Sequence, residues 1–270
     1  MNKMKLMNLF LTITLTGTLV LSPVTEIFGQ EKEEEKQTQT FQQVKPVDFI
    51  PVGSALFITF GLELSKDQIG PHNPRWTSIS GLDRNVRNSL KWPDPSLHTA
   101  ATISDILWIS LSASFIWAPL FDKSYYWNGA LVISEAVIYT TFLTTITKLI
   151  VGRQRPYSAF GTLPADGVND NLSFFSGHTS ISFAAATSTS LYLSNLFPQN
   201  AWWITTLLHL GAGTVAYMRM AGDEHYITDI AVGAATGSLI GWAVYKLRRP
   251  WIHVAFDVNG GVRVIADRRF

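Results

Sequence analysis

Three short clusters in the second half of the chain contain residue types that can bind or attack a phosphate group. In the first, Lys148 and Arg155 stand seven residues apart, and Pro156 follows. Seven residues are almost two helical turns, so we expect both cations on one helix face near an end that Pro156 enforces. Such a pair could clamp an anion, but basic residues also flank the cytoplasmic end of many membrane spans.

The second cluster precedes a long apolar run. Ser176 and Gly177 stand immediately before this run, and His178 follows them. The start of a helix offers free backbone N–H groups at the positive end of its dipole, which favours phosphate binding. His178 would then lie in the first turn beside the anion, although a capping role alone also explains a serine at this position.

The third cluster leads into the last apolar run and contains Arg219, His225 and Asp229. His225 and Asp229 are four residues apart, which predicts that they are neighbours on one helix face. A carboxylate that accepts the Nδ1 proton directs Nε2 of the imidazole outward, as in an oriented nucleophile or base. A plain salt link would show the same spacing.

The lengths between the clusters allow all three to meet. Eighteen residues (157–174) separate Pro156 from Phe175, and forty (179–218) separate His178 from Arg219. Forty residues suffice for one helix out and one helix back. We therefore expect the clusters to lie together at one end of a helical bundle.

Six apolar segments would form this bundle. Their lengths are typical of helices and they lack the alternation of strands, so the predicted fold class is all-α, a six-helix bundle. We place the segments at 48–64, 100–120, 128–151, 178–197, 201–221 and 226–247.

A membrane-embedded bundle is the favoured interpretation, and a soluble or peripheral exported bundle is the alternative. Only 15% of the residues are charged, against about 25% in soluble domains. However, Asp105 and Glu135 stand inside two of the segments. The segment 48–64 has about 15 apolar residues, fewer than the roughly 20 that cross a bilayer. We therefore expect the first segment not to span.

The two ends of the chain differ from the bundle. Residues 1–29 contain a basic stretch and an uncharged run, which predicts a signal peptide that is either cleaved or kept as an anchor. A polar linker follows at 30–47. The tail 250–270 alternates on both sides of Asn259-Gly260, which predicts a small β-hairpin.

The stretch 65–99, between the first two segments, has a composition of its own. It contains four prolines and two tryptophans. This pattern predicts a long loop or a short amphipathic helix at the membrane interface. We expect Arg84 and Arg87 to lie on its solvated face.

The composition excludes several function classes. The chain has no cysteine, so disulfides, thiolate nucleophiles and Cys-ligated metal centres are ruled out. Lys and Arg total 21, and Asp and Glu total 20, so no summed positive field is present to hold a nucleic acid. Any anion must therefore be recognised at a local site. We find no carboxylate cluster that predicts a metal.

The clusters resemble the motifs of the type 2 phosphatidic acid phosphatase superfamily, which also includes bacterial class A acid phosphatases and vanadium haloperoxidases. The family pattern is K-x6-R-P, then P-S-G-H, then S-R-x5-H-x3-D. The matching positions are Lys148, Arg155, Pro156, Ser176, Gly177, His178, Arg219, His225 and Asp229. Phe175 replaces the family's proline, and Met218 replaces its serine. The resemblance covers about 100–247, and we extend the phosphatase domain over 48–249.

The resemblance implies a binding set and a catalytic set. The phosphate would be held by Lys148, Arg155, Ser176, Gly177 and Arg219. His225 would attack phosphorus to form a phosphohistidine, and Asp229 would fix its tautomer. His178 would protonate the leaving oxygen and later activate water. This scheme requires no metal and no other cofactor.

A lipid phosphate is the substrate that the resemblance and the apolar segments favour. Candidates are phosphatidic acid, phosphatidylglycerol phosphate, undecaprenyl pyrophosphate and the phosphates of lipid A. The alternatives are a soluble exported acid phosphatase that acts on small phosphomonoesters, an inactive lipid-phosphate binder, and a vanadate-dependent haloperoxidase. We expect a membrane enzyme with its site facing the periplasm from the inner membrane, or else a periplasmic protein.

Overall fold

A computed structural model describes residues 44–122, 126–248, 252–256 and 262–266, the last two ranges as backbone. The predicted signal segment 1–29 and most of the linker 30–47 lie outside the described residues. The predicted Asn259-Gly260 turn lies outside them as well.

Nine helices form the body of the described part. Six of them are long, and they lie where the sequence predicts the six segments, so the all-α prediction is confirmed. The helices are α1 Phe49–Ile69, α2 Gly81–Leu90, α3 Leu97–Ser112, α4 Ser114–Trp117, α5 Tyr126–Val151, α6 Pro156–Phe160, α7 Gly177–Leu196, α8 Ala201–Ala221 and α9 Ile227–Arg248.

Two short strands follow the last helix. Strand β1, Ile252–Phe256, pairs antiparallel with β2, Val262–Ala266. In the register, Ile252 faces Ala266 and Phe256 faces Val262. The alternating tail thus forms its strands at the sequence positions where alternation is seen.

Helix α7 is the central element, packed against α3, α5, α8 and α9. Its approach to α9 is closest at three glycines spaced four apart, which therefore share one face of α9. A Cβ on Gly237 would lie 1.9 Å from the carbonyl oxygen of Ser180, and one on Gly233 would lie 2.9 Å from that of Ser176. Because no side chain separates the two backbones here, the start of α7 lies against the start of α9.

Four stretches of the described residues are long and apolar enough to cross a membrane. They are Pro46–Ile69, Asp94–Phe121, Tyr126–Val151 and Ile227–Arg248. The first stretch corrects the expectation that the segment 48–64 is too short to span, because α1 runs to Ile69 and the whole stretch has 24 residues. Large apolar side chains on α1 face outward, with Phe57 78% exposed. These features assign the bundle to a membrane.

The stretch 65–99 does contain a short helix, α2, but its buried face differs from the prediction. Ser80 caps the helix by accepting a hydrogen bond from the backbone N–H of Asp83 at 3.0 Å. Arg84 is exposed, as expected. Arg87 is buried instead of solvated, because its Nε and Nη2 each lie 2.6 Å from a carboxylate oxygen of Asp223.

Glu135, the acid inside the third apolar segment, is paired with a residue at the end of α9, away from the three clusters. Glu135 is buried, and both of its carboxylate oxygens accept hydrogen bonds from Arg248 near the end of α9. This pair joins α5 to α9. It lies at the far end of α5 from Lys148.

Candidate active site

The first cluster bends away from its helix. Helix α5 ends at Val151, and Gly152 follows with a φ of +61°, a left-handed conformation that favours glycine. Arg155 therefore lies beyond the helix, as the residue that precedes α6. The expectation that Lys148 and Arg155 share one helix face is wrong, because the chain turns at Gly152 before it reaches Arg155.

The second cluster begins its helix as predicted. Ser176 is the N-cap of α7, and its side chain accepts a hydrogen bond from the N–H of Thr179 at 3.4 Å. His178 lies in the first turn. A Cβ placed on Gly177 would lie 3.7 Å from Nζ of Lys148. The ammonium group of the first cluster therefore lies beside the start of α7.

The third cluster is split between two helices. Arg219 lies in the last turn of α8, and His225 lies in the connection before α9. His225 and Asp229 are therefore not neighbours along one helix, contrary to the spacing argument. Their Nδ1 and Oδ2 atoms are 3.6 Å apart, too far for a direct hydrogen bond.

A serine bridges this histidine and this carboxylate. The hydroxyl of Ser173 donates to Oδ2 of Asp229 at 2.6 Å and lies 3.4 Å from Nδ1 of His225. The backbone N–H of Tyr226 donates to the same carboxylate oxygen at 3.0 Å. The carboxylate is thus held in place beside the imidazole.

Two acids that the sequence analysis left without a role complete the site. Glu224 accepts a hydrogen bond from Arg155 and forms an ion pair with Arg219, with 3.0 Å between Oε2 and Nη2. Oδ1 of Asp105 lies 2.8 Å from Nε2 of His178 and 3.6 Å from Nη1 of Arg219. The position of Glu224 directly before His225, and the presence of Asp105 inside an apolar helix, were the signals that could have revealed them.

A model of the PAP2 superfamily matches residues 129–252, which contain all three clusters. The region that contains the three clusters, just under half of the chain, is thus similar to the PAP2 superfamily. A PA-phosphatase related-family protein of Dictyostelium discoideum is 31% identical over 131 residues, 44% of this chain and 48% of that protein. The lipid A 1-phosphatase of Porphyromonas gingivalis is 34% identical over 83 residues, 31% of this chain and 18% of that protein. The chain thus matches less than half the length of each of these relatives.

A solved structure also aligns with this chain. It is a transmembrane PAP2 type phosphatidylglycerolphosphate phosphatase from Bacillus subtilis, with a TM-score of 0.49 and 16% sequence identity. The alignment covers 73% of this chain and 94% of that chain.

Phe175, one of the two departures from the PAP2 motifs, is buried in this structure. It stands directly before the N-cap of α7, and its ring lies edge-on to Phe174, with centroids 6.0 Å apart. Phe174 in turn contacts Trp76. The larger side chain is thus accommodated within an aromatic cluster, and Ser176 still caps the helix.

Several buried nitrogen atoms lack a hydrogen-bond partner within the described residues. Two of them, Nε2 of His225 and Nε of Arg219, belong to residues of the three clusters. A buried donor or acceptor without a partner is costly, so each is a position where a polar ligand would be stabilised. In the described ranges, no group of three or more His, Asp or Glu side chains has the geometry of a metal site.

The surrounding charges control the protonation of the site. Burial lowers the pKa of His225 well below its ordinary value, and Arg155, Lys148 and Arg219 lower it further. Burial opposes ionisation of Glu224, but Arg219, Arg155 and Lys148 together outweigh it and lower the pKa of its carboxyl group. At neutral pH the site therefore holds a neutral imidazole and an ionised Glu224.

Proposed function

We propose that this chain is a metal-independent phosphatase that hydrolyses phosphate monoesters or pyrophosphates of lipids through a phosphohistidine intermediate. The observation that supports this most strongly is the buried Nε2 of His225, which has no hydrogen-bond partner in the described part of the chain. It belongs to a neutral imidazole close to three cations, Lys148, Arg155 and Arg219. A nucleophilic nitrogen without a proton, next to positive charge for the phosphoryl oxygens, is what attack on phosphorus requires.

In the first step, the lone pair on Nε2 of His225 attacks phosphorus, and the bond from phosphorus to the leaving oxygen breaks. The cations stabilise the charge on the three remaining phosphoryl oxygens. Asp229 and Ser173 hold the Nδ1 side of the ring, so that the phosphorylated imidazole can carry its positive charge. The leaving oxygen takes a proton from His178.

In the second step, water attacks phosphorus, His178 takes a proton from that water, and the bond to Nε2 breaks. Inorganic phosphate leaves and His225 is regenerated. His178 lies in α7, outside the four membrane-crossing stretches. Burial, Arg219 and Lys148 lower the pKa of His178 in the free site. A bound phosphate dianion offsets those cations, and Asp105 at 2.8 Å favours the imidazolium, so bound substrate raises the pKa of His178 toward the value that an acid needs.

Lipid phosphates are the proposed substrate class. The four stretches able to cross a membrane favour a site near lipid headgroups, and one relative is named a lipid A 1-phosphatase. Phosphatidic acid, phosphatidylglycerol phosphate, undecaprenyl pyrophosphate and lipid A phosphates all present a phosphate monoester or pyrophosphate on an apolar body. A soluble acid phosphatase is disfavoured by the exposed apolar face of α1.

The substrate assay uses the full chain in detergent with excess chelator and a panel of these lipids beside small phosphomonoesters. We expect chelator-resistant phosphate release in the wild type and none in His225→Ala. His209→Ala is the matched control, because His209 bonds Thr187 and Thr205 away from the site. No release from any substrate would favour the binding protein or the haloperoxidase, and a vanadate-dependent bromide oxidation assay would separate these two.

We further propose that the site faces the periplasm. Three crossings, α1, α3 and α5, separate residue 44 from Arg155, so this orientation requires residue 44 to lie on the cytoplasmic side if α1 spans. The absence of cysteine allows a direct test with single cysteines at two exposed positions. In intact cells, a membrane-impermeant maleimide should label Asn73→Cys near the site and spare Gln199→Cys at the other end of the bundle. The reverse pattern would place the site in the cytoplasm.

A further inference from the structure

Arg153 lies two residues before Arg155, yet its side chain binds buried protein groups and does not join the phosphate-binding cations proposed above. It is 1% exposed. Its Nη1 donates to Oδ1 of Asp229 and, at 2.7 Å, to the hydroxyl of Thr228. Its Nη2 donates to Oδ2 of Asp83 at 2.8 Å. Arg153 thus connects the carboxylate beside His225 to a second carboxylate on α2.

Asp83 is itself firmly held. Its Oδ1 accepts hydrogen bonds from the backbone N–H of Thr228 at 3.1 Å and from the Thr228 hydroxyl at 2.9 Å. Its Oδ2 accepts one from the hydroxyl of Ser80 at 2.9 Å. Asp83 therefore joins the first turn of α2 to the first turn of α9, where Asp229 lies.

Two aromatic rings confine the Arg153 guanidinium group. Its Cζ lies 4.2 Å from the ring centre of Trp76 and 4.4 Å from that of Tyr226. Stacking of this kind stabilises the cation and limits its rotation. With both Nη atoms bonded to protein acceptors and the group confined between rings, Arg153 cannot reach a phosphate.

We propose that Arg153 and Asp83 are positioning residues for the pair His225 and Asp229. Arg153 engages Oδ1 of Asp229, which leaves Oδ2 to the Ser173 hydroxyl and the side of His225. Asp83 supplies the second negative charge that keeps the buried Arg153 in this orientation. Helix α2, remote in sequence from the three motifs, thereby takes part in the site. This proposal rests on the proposed phosphohistidine mechanism.

The chain offers a matched control on α2, the helix that carries Asp83. Arg87 is also a buried arginine, and it also joins α2 to the residues before His225, through its paired contacts with Asp223. However, Arg87 contacts neither His225 nor Asp229 in any described hydrogen bond. Loss of Arg87 therefore reports the general cost of removing a buried arginine from the α2 contacts.

The experiment is a double-mutant cycle on the full chain in detergent. Phosphate release is measured for the wild type, Arg153→Gln, Arg87→Gln and Asp229→Asn, and for each arginine variant combined with Asp229→Asn. We expect Arg153→Gln to lower kcat roughly 10- to 100-fold with little change in KM, as for the supporting partners of other active sites. The loss should vanish in the Asp229→Asn background, because the two residues act as one unit.

Arg87→Gln should behave differently. Any loss of kcat in this variant should be the same in the wild-type and Asp229→Asn backgrounds, and it should follow the fraction of folded protein. Asp83→Asn is the second variant, to be used if Arg153→Gln does not fold. It keeps the size of the side chain and an oxygen acceptor for Thr228, and we expect it to lower kcat and to lose its effect when combined with Asp229→Asn.

Three results would overturn the proposal. In the first, the effects of Arg153→Gln or Asp83→Asn multiply with that of Asp229→Asn, as those of independent sites do. In the second, the wild type releases no phosphate, or His225→Ala remains active. That second result refutes the phosphohistidine mechanism itself and removes the positioning role with it. The third, activity that depends on His225 but not on Arg153, refutes the positioning role alone.

Discussion

Arg153 and Arg155 are chemically identical and two residues apart, but they lie in opposite environments. Arg153 is enclosed between two carboxylates and two rings. The side chain of Arg155 is 11% exposed, and it shares the carboxylate of Glu224 with Arg219. We call Lys148, Arg155 and Arg219 the cation cluster. An arginine whose two Nη atoms both bind carboxylates fixes a structure, whereas a cluster with excess positive charge can accept an anion.

The largest effect is expected from the cation cluster. Arg219→Ala removes a guanidinium group whose Nε has no partner among the described residues, so we expect kcat/KM for a lipid phosphate to fall by about 10³-fold. Arg84→Ala, which changes an exposed arginine on α2, should change it less than about twofold. If the two variants show similar losses in a steady-state assay, the assignment of the cluster to phosphate is wrong.

The serine bridge beside His225 should have the next largest effect. Ser173→Ala removes the hydroxyl that lies between Asp229 and His225. A hydrogen bond to a charged group contributes about 1.5–3 kcal/mol, so kcat should fall at least about tenfold. Ser110→Ala, at a hydroxyl bonded to its own helix, is the control. Equal kcat values for the two variants would show that the bridge has no role in turnover.

Glu224 should tune how strongly the cation cluster holds phosphate. Glu224→Gln removes one negative charge from beside Arg155 and Arg219. We therefore expect the inhibition constant of inorganic phosphate to fall by about fivefold, a change of about 1 kcal/mol. Asp94→Asn, at an exposed acid paired with Lys91, should leave it unchanged. Weaker inhibition in Glu224→Gln would indicate that Glu224 mainly orients the arginines.

The smallest expected effect is a shift of the pH profile. Burial and, after it, the cation cluster lower the pKa of His225, so the nucleophile stays neutral as the pH falls below its ordinary pKa of about 6.5. Activity is lost only when the pH falls through the lowered pKa. Arg155→Gln removes a neighbouring cation, so the acidic limb of kcat/KM should move to higher pH. This account would be contradicted if the acidic limb of Arg155→Gln stayed in place. It would also be contradicted if the limb moved as far in the exposed control variant Arg84→Gln.

Local chemistry made much of the site predictable. Proline, glycine and serine act on the backbone within a few residues, so the start of α7 at Gly177 followed from Ser176 and Gly177. Apolar runs of helical length predicted the six long helices, because a helix satisfies the backbone hydrogen bonds of such a run when it is buried or in contact with lipid. The three motifs named the cations and histidines whose side chains the fold brings together.

Contacts between remote residues were not predictable. Nothing in the local pattern of Asp83 or Arg87 distinguishes a solvated charge from a buried one, because their partners are far away in sequence, at Arg153 and Asp223. Asp105 stood out only as an acid in an apolar run, and its contact with His178 depends on how α3 packs against α7. The spacing argument for His225 and Asp229 assumed one helix, and α9 begins only at Ile227.

Residue types and spacing alone therefore predict a helical bundle with a cluster of cations and histidines suited to phosphate, since charge, helix starts and hydrophobic length are local properties. The arrangement in space decides which charges remain available. The close packing of α7 on α9, permitted by Gly233 and Gly237, places Asp229 beside Ser176. The left-handed turn at Gly152 is followed by Arg153, which meets Asp229, and by Arg155, which meets Glu224. Whether a charge is neutralised depends on its neighbours in three dimensions, and these are brought together only when the helices pack.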